Sequence, residues 1–232
     1  MPRHAAFVQV YDSIVPVDLK TMKVGSSIWT KDDGITKIAV LSGGTQVLVG
    51  DWMPAGESSL YFVDPQTAQT VHTVTKLGTS LSTFALSRDE AFAYCISKWG
   101  DDLKIISLGS SPSLHKSISL PFHAVDLGVT HDNTELIVHG GRSLTRYPLA
   151  GGLPQTPGET ITLSCAQMPG ENVWLPLAID ADDRLAVAAC HGEPRVAVVD
   201  LEVGKESWVK TLAPDSGQYT KALGAEIHAV PK

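Results

Sequence analysis

Clustered positive charge is missing from this chain. Its 18 Lys and Arg are scattered among 25 Asp and Glu, for a net charge of −7. A nucleic-acid face needs grouped cations to neutralise phosphates, so direct nucleic-acid binding is not expected. The same argument weakens binding to anionic membranes, and no run of some 18 apolar residues exists to cross one. Aromatic residues are few, at 6%, so small β-branched side chains must carry the core. The three cysteines, Cys95, Cys165 and Cys190, are odd in number and lack C-x-x-C spacing. Neither a disulfide framework nor a zinc site is expected from them. The start, Met1-Pro2-Arg3-His4, has no apolar signal region. Asn133 and Asn172, the two asparagines, sit in no glycosylation sequon. These features together favour a reducing, cytoplasmic setting. Also missing are a G-x-S-x-G turn, a phosphate loop, a dinucleotide glycine pattern and H-E-x-x-H, and no cofactor is called for.

What is present is a repeat. Five apolar triplets stand at matching places: Ile38-Ala39-Val40, Phe84-Ala85-Leu86, Leu127-Gly128-Val129, Leu177-Ala178-Ile179 and Leu223-Gly224-Ala225. Their spacings are 46, 43, 50 and 46 residues. After each of the first four comes a polar turn and a second apolar run, such as Val47–Gly50 or Phe92–Ile96. A third run follows, such as Leu60–Asp64 or Val196–Asp200. Short β-branched runs bounded by Gly, Asp, Asn and Pro read as strands and hairpin turns. No long 3.6-residue period with caps is seen, so little helix is expected. A period of about 40–50 residues in an all-strand chain is the signature of a β-propeller blade. The N-terminal unit begins at its second strand, with Ala5–Val10, Ile14–Asp18 and Val24–Ile28. The C-terminal Lys221–Ala225 is a surplus first strand. The reading is one all-β domain over 1–232: a five-bladed propeller of four-stranded blades, closed by a clasp between the C-terminal strand and the N-terminal blade.

The runs Ala39-Val40-Leu41-Ser42-Gly43-Gly44 and Phe62-Val63-Asp64, with further Val-Asp strand ends at Val17-Asp18 and Val199-Asp200, resemble YVTN-type and divergent WD40 repeats. The resemblance covers nearly the whole chain. It lacks the Gly-His and Trp-Asp dipeptides of WD40 repeats. It implies a non-catalytic scaffold that docks another protein. Its YVTN side implies, as the alternative, a lactonase- or lyase-like enzyme acting on a small molecule.

Propeller faces carry binding on the loops between second and third strands and on the entries to first strands. In register these supply Tyr11, Asp12, Asp51, Trp52, Lys98, Trp99, His139, Arg142 and His191 from the former. Lys37, His123, Asp126, Trp174 and Tyr219 come from the latter. Rigid aromatics give contact area at low entropy cost and charges give orientation. The partner-binding set is therefore Trp52, Trp99, Trp174, His139, His191, Asp51, Lys98 and Tyr11. Trp52 and Trp99 occupy equivalent places, which also suits packing between blades. Asp12, Asp51 and Arg142 suit turn amides equally. For the enzyme alternative, His123, His139 and His191 are the metal candidates, since neutral imidazole binds zinc, iron or nickel. Asp126 and Lys98 would assist. Asp180-Ala181-Asp182-Asp183 falls where sister units carry hairpin turns, so it is read as a turn and not as a calcium loop.

Overall fold

In a computed structural model, the described residues are 5–10, 12–30, 34–53, 56–97, 101–165, 176–190 and 195–211. They form five successive antiparallel sheets. The first contains β1 (Ala5–Val10), β2 (Ser13–Asp18), β3 (Lys23–Val24) and β4 (Trp29–Thr30). The second is β5 (Ile35–Val40), β6 (Val47–Asp51), β7 (Leu60–Asp64) and β8 (Gln69–Val74). The third is β9 (Leu81–Leu86), β10 (Phe92–Ser97), β11 (Asp102–Ser107) and β12 (Ser113–Ser119). The fourth holds β13 (Asp126–Val129), β14 (Glu135–His139), β15 (Ser143–Ala150), β16 (Leu153–Pro154) and β17 (Thr160–Thr162). The fifth is β18 (Leu177–Ile179), β19 (Leu185–Ala189), β20 (Arg195–Asp200) and β21 (Lys205–Thr211). Among the described residues the only helical turn is a 3-10 turn at Ser42–Gly44. No described helix is long and apolar enough to cross a membrane.

The repeat triplets in the described region are the first strands β5, β9, β13 and β18, as expected. Leu223-Gly224-Ala225 lies outside the described residues. The first sheet has its second and third strands, and an outer strand broken into β3 and β4. That break replaces the single run expected at Val24–Ile28. Its cause is Pro16 on β2: proline has no N–H for the ladder. The chain detours there, with Gly25 N–H donating to Pro16 O at 2.8 Å and Ile28 N–H to Ile14 O at 2.9 Å.

The residues divide into two compact units, Met1–Leu86 with Phe92–Ser119, and Ser87–Ala91 with Leu120–Lys232. In the first, Ile14 and Ile28 pack with Val47, Val49 and Val63, so the first and second sheets share a core. Leu48, Phe62, Leu81, Phe84, Cys95 and Ile106 join the second sheet to the third. In the second, Ile137, Leu144 and Ile161 of the fourth sheet meet Ala186, Ala188, Ala197 and Val199 of the fifth. Alternate residues of each strand thus point to opposite neighbours, as strand geometry requires.

One detail recurs. The outer strands β8, β12 and β21 each carry a register shift near the same place, opposite Phe62/Val63, Ile105/Ile106 and Val198/Val199. Such bulges twist an edge and blunt its pairing with other chains.

Cysteine is a correction. Cys165 and Cys190 form a disulfide, with Cα atoms 5.2 Å apart across a sequence separation of 25. Both are buried in the core of the second unit. Spacing could not show this, because the pair meets only when the fifth sheet closes on the fourth. It also removes one ground for expecting a reducing compartment.

The turns between first and second strands interlock within the second unit. Glu90, Asn133 and Asp183 take the same left-handed conformation, at φ 54°, 61° and 55°. Asn133 Oδ1 accepts the Arg88 N–H at 2.9 Å. The Asp183 carboxylate accepts His131 N–H at 2.6 Å and Asp132 N–H at 2.9 Å. The Asp180–Asp183 segment is a hairpin turn, as read from its register. Nearby, the Ser87 hydroxyl first and then the Ala91 amide hold the Asp89 carboxyl below its ordinary value of 3.8. The hydroxyls of Thr130 and Thr134 do the same for Asp132. A carboxyl lowered by folding stabilises fully above its unfolded value. That contribution is lost as pH falls through the folded value. The melting temperature should therefore fall as pH drops from about 5 towards 2. An Asp89→Asn/Asp132→Asn variant should show a shallower fall; an identical slope would show that these two turns contribute nothing.

Candidate functional site

The rim of the first unit gathers residues from three loops. Gly34, entering β5, has φ +87°. This left-handed conformation suits glycine, the residue without a Cβ penalty. Trp52, just past β6, donates its backbone N–H to Gly34 O at 3.1 Å. A Cβ on Gly34 would lie 3.8 Å from Trp52 Cε3 and 3.7 Å from Asp12 Oδ1. Indole and carboxylate therefore flank the glycine. Trp52 is 38% exposed.

The residues beneath Trp52 are hydrogen-bonded and buried. Asp51 is fully buried at the end of β6. Its Oδ1 accepts the Ser59 N–H at 2.6 Å and its Oδ2 accepts the Tyr61 hydroxyl at 3.2 Å. The Ser80 hydroxyl donates to Met53 O at 3.0 Å. Ser58 Oγ accepts the Leu81 N–H at 2.8 Å. Asp51 is thus turned inward, and Trp52 beside it is partly exposed.

In the second unit, Asp126 begins β13. Its Oδ1 accepts the Leu127 N–H and its Oδ2 the Leu177 N–H, both at 2.8 Å. The carboxylate staples β13 to β18. His139 lies directly opposite Asp126 in the β13–β14 register and is fully buried. His123 and Arg142 are exposed. Arg142 contributes backbone: its N–H donates to Gly140 O at 2.9 Å and its carbonyl accepts Leu163 N–H at 2.8 Å. Lys37, on β5 of the first unit, donates from Nζ to Thr83 Oγ1 of β9 at 3.3 Å.

The structure therefore brings Asp12, Asp51 and Trp52 to one rim. It places Asp126 beside His139 on neighbouring strands. Tyr11, Lys98, Trp99, Trp174, His191 and Tyr219 lie outside the described residues. Among the described residues no three His, Cys, Asp or Glu side chains gather as a metal site. Gly34, Ser58 and Ser80 were not legible as parts of the rim. The Asp-Asp-Gly sequence at 32–34, ahead of the first-strand triplet, is the signal that marks Gly34.

No family model and no curated protein matches the chain. Solved structures do. A functionally unknown protein from Desulfotomaculum acetoxidans DSM 771 superposes with a TM-score of 0.72 at 14% identity, over 85% of this chain and 63% of that one. A chain of the Mitotic Checkpoint Complex gives 0.67 at 9% identity, over 89% and 60%. Dihydro-heme d1 dehydrogenase NirN in complex with DHE gives 0.67 at 15% identity, over 91% and 46%. This chain spans about half to three-fifths of the length of these structures. At such identities the likeness is one of fold, and the fold is all-β and β-propeller-like.

Proposed function

We propose that this chain is a non-catalytic binding module of the WD40- or YVTN-like propeller kind, which docks another protein through its loop-bearing rim. The observation that supports it is Trp52: a partly exposed indole whose backbone N–H is held by Gly34 O, next to the buried and hydrogen-bonded Asp51. Buried aromatic anchors dominate interface energies, and pre-organisation lowers the cost of using them. The engagement of Asp126 by two backbone amides is the reason to prefer binding over the lactonase- or lyase-like alternative. In the same reading the five sheets are five blades, closed into a ring by Lys221–Ala225 as the missing inner strand.

The test is Trp52→Ala, with the protein partner isolated by affinity capture and then titrated in purified form. The expected result is at least a tenfold loss of affinity, about 1.4 kcal/mol, with an unchanged cooperative melt. A variant that loses its cooperative melt assigns Trp52 to packing. Unchanged affinity in a folded variant removes Trp52 from the interface.

A further inference from the structure

A carboxylate in a loop either holds a turn amide or is presented to a ligand, and the structure separates the two uses in the first unit. Asp18 and Asp64 hold turns, and Asp200 of the second unit does the same. Each accepts the amides two and three residues on. Asp51 accepts the Ser59 amide and the Tyr61 hydroxyl. Asp12, in the turn between β1 and β2, is different. It is half-buried, and its carboxylate has no hydrogen bond or ion pair among the described residues. A carboxylate is an acceptor on both oxygens, so Asp12 keeps that capacity for a group from outside.

What stands opposite Asp12 is Trp52. From the place a Cβ on Gly34 would take, Asp12 Oδ1 is 3.7 Å away, Trp52 Cε3 3.8 Å and Trp52 Cβ 4.0 Å. Apart from the glycine's own chain neighbours, no atom of the described residues lies nearer to that place. These are ordinary van der Waals distances. Carboxylate and indole are therefore the two walls of a slot whose floor is Gly34, and the glycine leaves the slot open because it has no side chain. One wall accepts hydrogen bonds and carries the charge of an acid. The other is a π-system on a partly exposed residue. A cation that is also flat satisfies both at once, since it stacks on an indole and donates in its own plane to a carboxylate. The net charge of −7 favours the approach of such a group.

We propose, resting on the rim reading above, that the partner of this rim inserts an arginine side chain between Asp12 and Trp52. The guanidinium packs on the Trp52 indole and donates to the Asp12 carboxylate, over Gly34. A lysine is the poorer fit, because a compact, strongly hydrated ammonium makes no planar stack.

The experiment selects a random dodecapeptide display library on the folded full chain. Enriched peptides are synthesised and titrated by fluorescence anisotropy against the wild type, Asp12→Asn and Trp52→Ala. Melting curves confirm that both variants fold. Each peptide is also made with its arginine replaced by citrulline, which keeps the shape and loses the charge. The expected peptides share an arginine. Citrulline and Trp52→Ala should each weaken binding about tenfold, and Asp12→Asn about three- to fivefold. In the Asp12→Asn background the citrulline replacement should cost less than in the wild type, because the two groups meet. Lysine in the same place should bind several-fold more weakly than arginine. Peptides that need Trp52 but carry no arginine, or that ignore Asp12→Asn, would leave the rim as an interface and overturn the arginine assignment. Peptides indifferent to Trp52→Ala would overturn the rim reading and the assignment with it. A library that yields no arginine-dependent binder overturns the assignment alone.

Discussion

Unfolding the protein in guanidinium without a reductant should expose one titratable thiol per chain, and with prior reduction three. The one is Cys95, fully buried in the first unit, where burial pushes its thiol up to about 12 and keeps it unreactive in the fold. The other two are joined as Cys165–Cys190. The bridge closes a loop of 25 residues. In the chain-entropy model such a loop contributes about 3.5 kcal/mol by restricting the unfolded chain. For a domain of this size that is roughly 10 °C in melting temperature. Reduction should therefore lower the melt by that order, and Cys165→Ala/Cys190→Ala should reproduce the loss and abolish the reductant's effect. Three thiols in the unreduced protein would falsify the bridge outright. The loss should be concentrated in the second unit, because the bridge crosses the core shared by the fourth and fifth sheets.

Arg146→Ala should cost about 2–3 kcal/mol in urea unfolding. The guanidinium on β15 grips Glu135 on β14 with Nε and Nη2, at 2.8 to 3.2 Å. Its Nη1 donates to Leu201 O at 2.6 Å, tying the fourth sheet to the turn after β20. Glu159 stands 3.9 Å from the same Nη1. Gly204 completes the arrangement: its φ of +71° suits glycine, and the Glu159 carboxylate fills the place a Cβ would take. Both Arg146 and Glu135 keep about a fifth of their side chains exposed. The cost is therefore set below that of a fully buried pair. Most of it is the penalty on Glu135 left without its partner. A double-mutant cycle with Glu135→Gln should accordingly recover part of the loss, as a coupling of 1 kcal/mol or more. Arg146→Lys should not rescue, since an ammonium cannot make the planar fork and reach Leu201 at once. Additive single losses would show the pair to be energetically idle.

The two predictions rest on features that differ in how far they could be read in advance. Asp200 was visible as the end of a Val-Asp strand, and the turn after it follows from the same local logic as those after Asp18 and Asp64. The partners that Arg146 finds were not visible. Glu135 lies 11 residues before it and Leu201 55 residues after it, and only the stacking of two sheets brings the latter within reach. The rim shows the same division. Asp12, Asp51 and Trp52 were placed together by register, and the first unit does bring them together. Register could not say that Asp51 faces inward to Ser59 and Tyr61 while Trp52 faces out. Adjacent strand residues point to opposite sides, and which side is wet depends on the neighbouring sheet.

By itself the sequence determined the strand order, the four described first strands, the hairpin turns and, among the described residues, the near absence of helix. All of these are local. They follow from alternating apolar runs, from Gly and Asp at turn positions, and from proline's missing donor. Tertiary structure decided the Cys165–Cys190 pairing and the burial of Asp51 and His139. Each of these depends on what one sheet meets on the next. That contact joins residues tens of positions apart, and no local pattern encodes it.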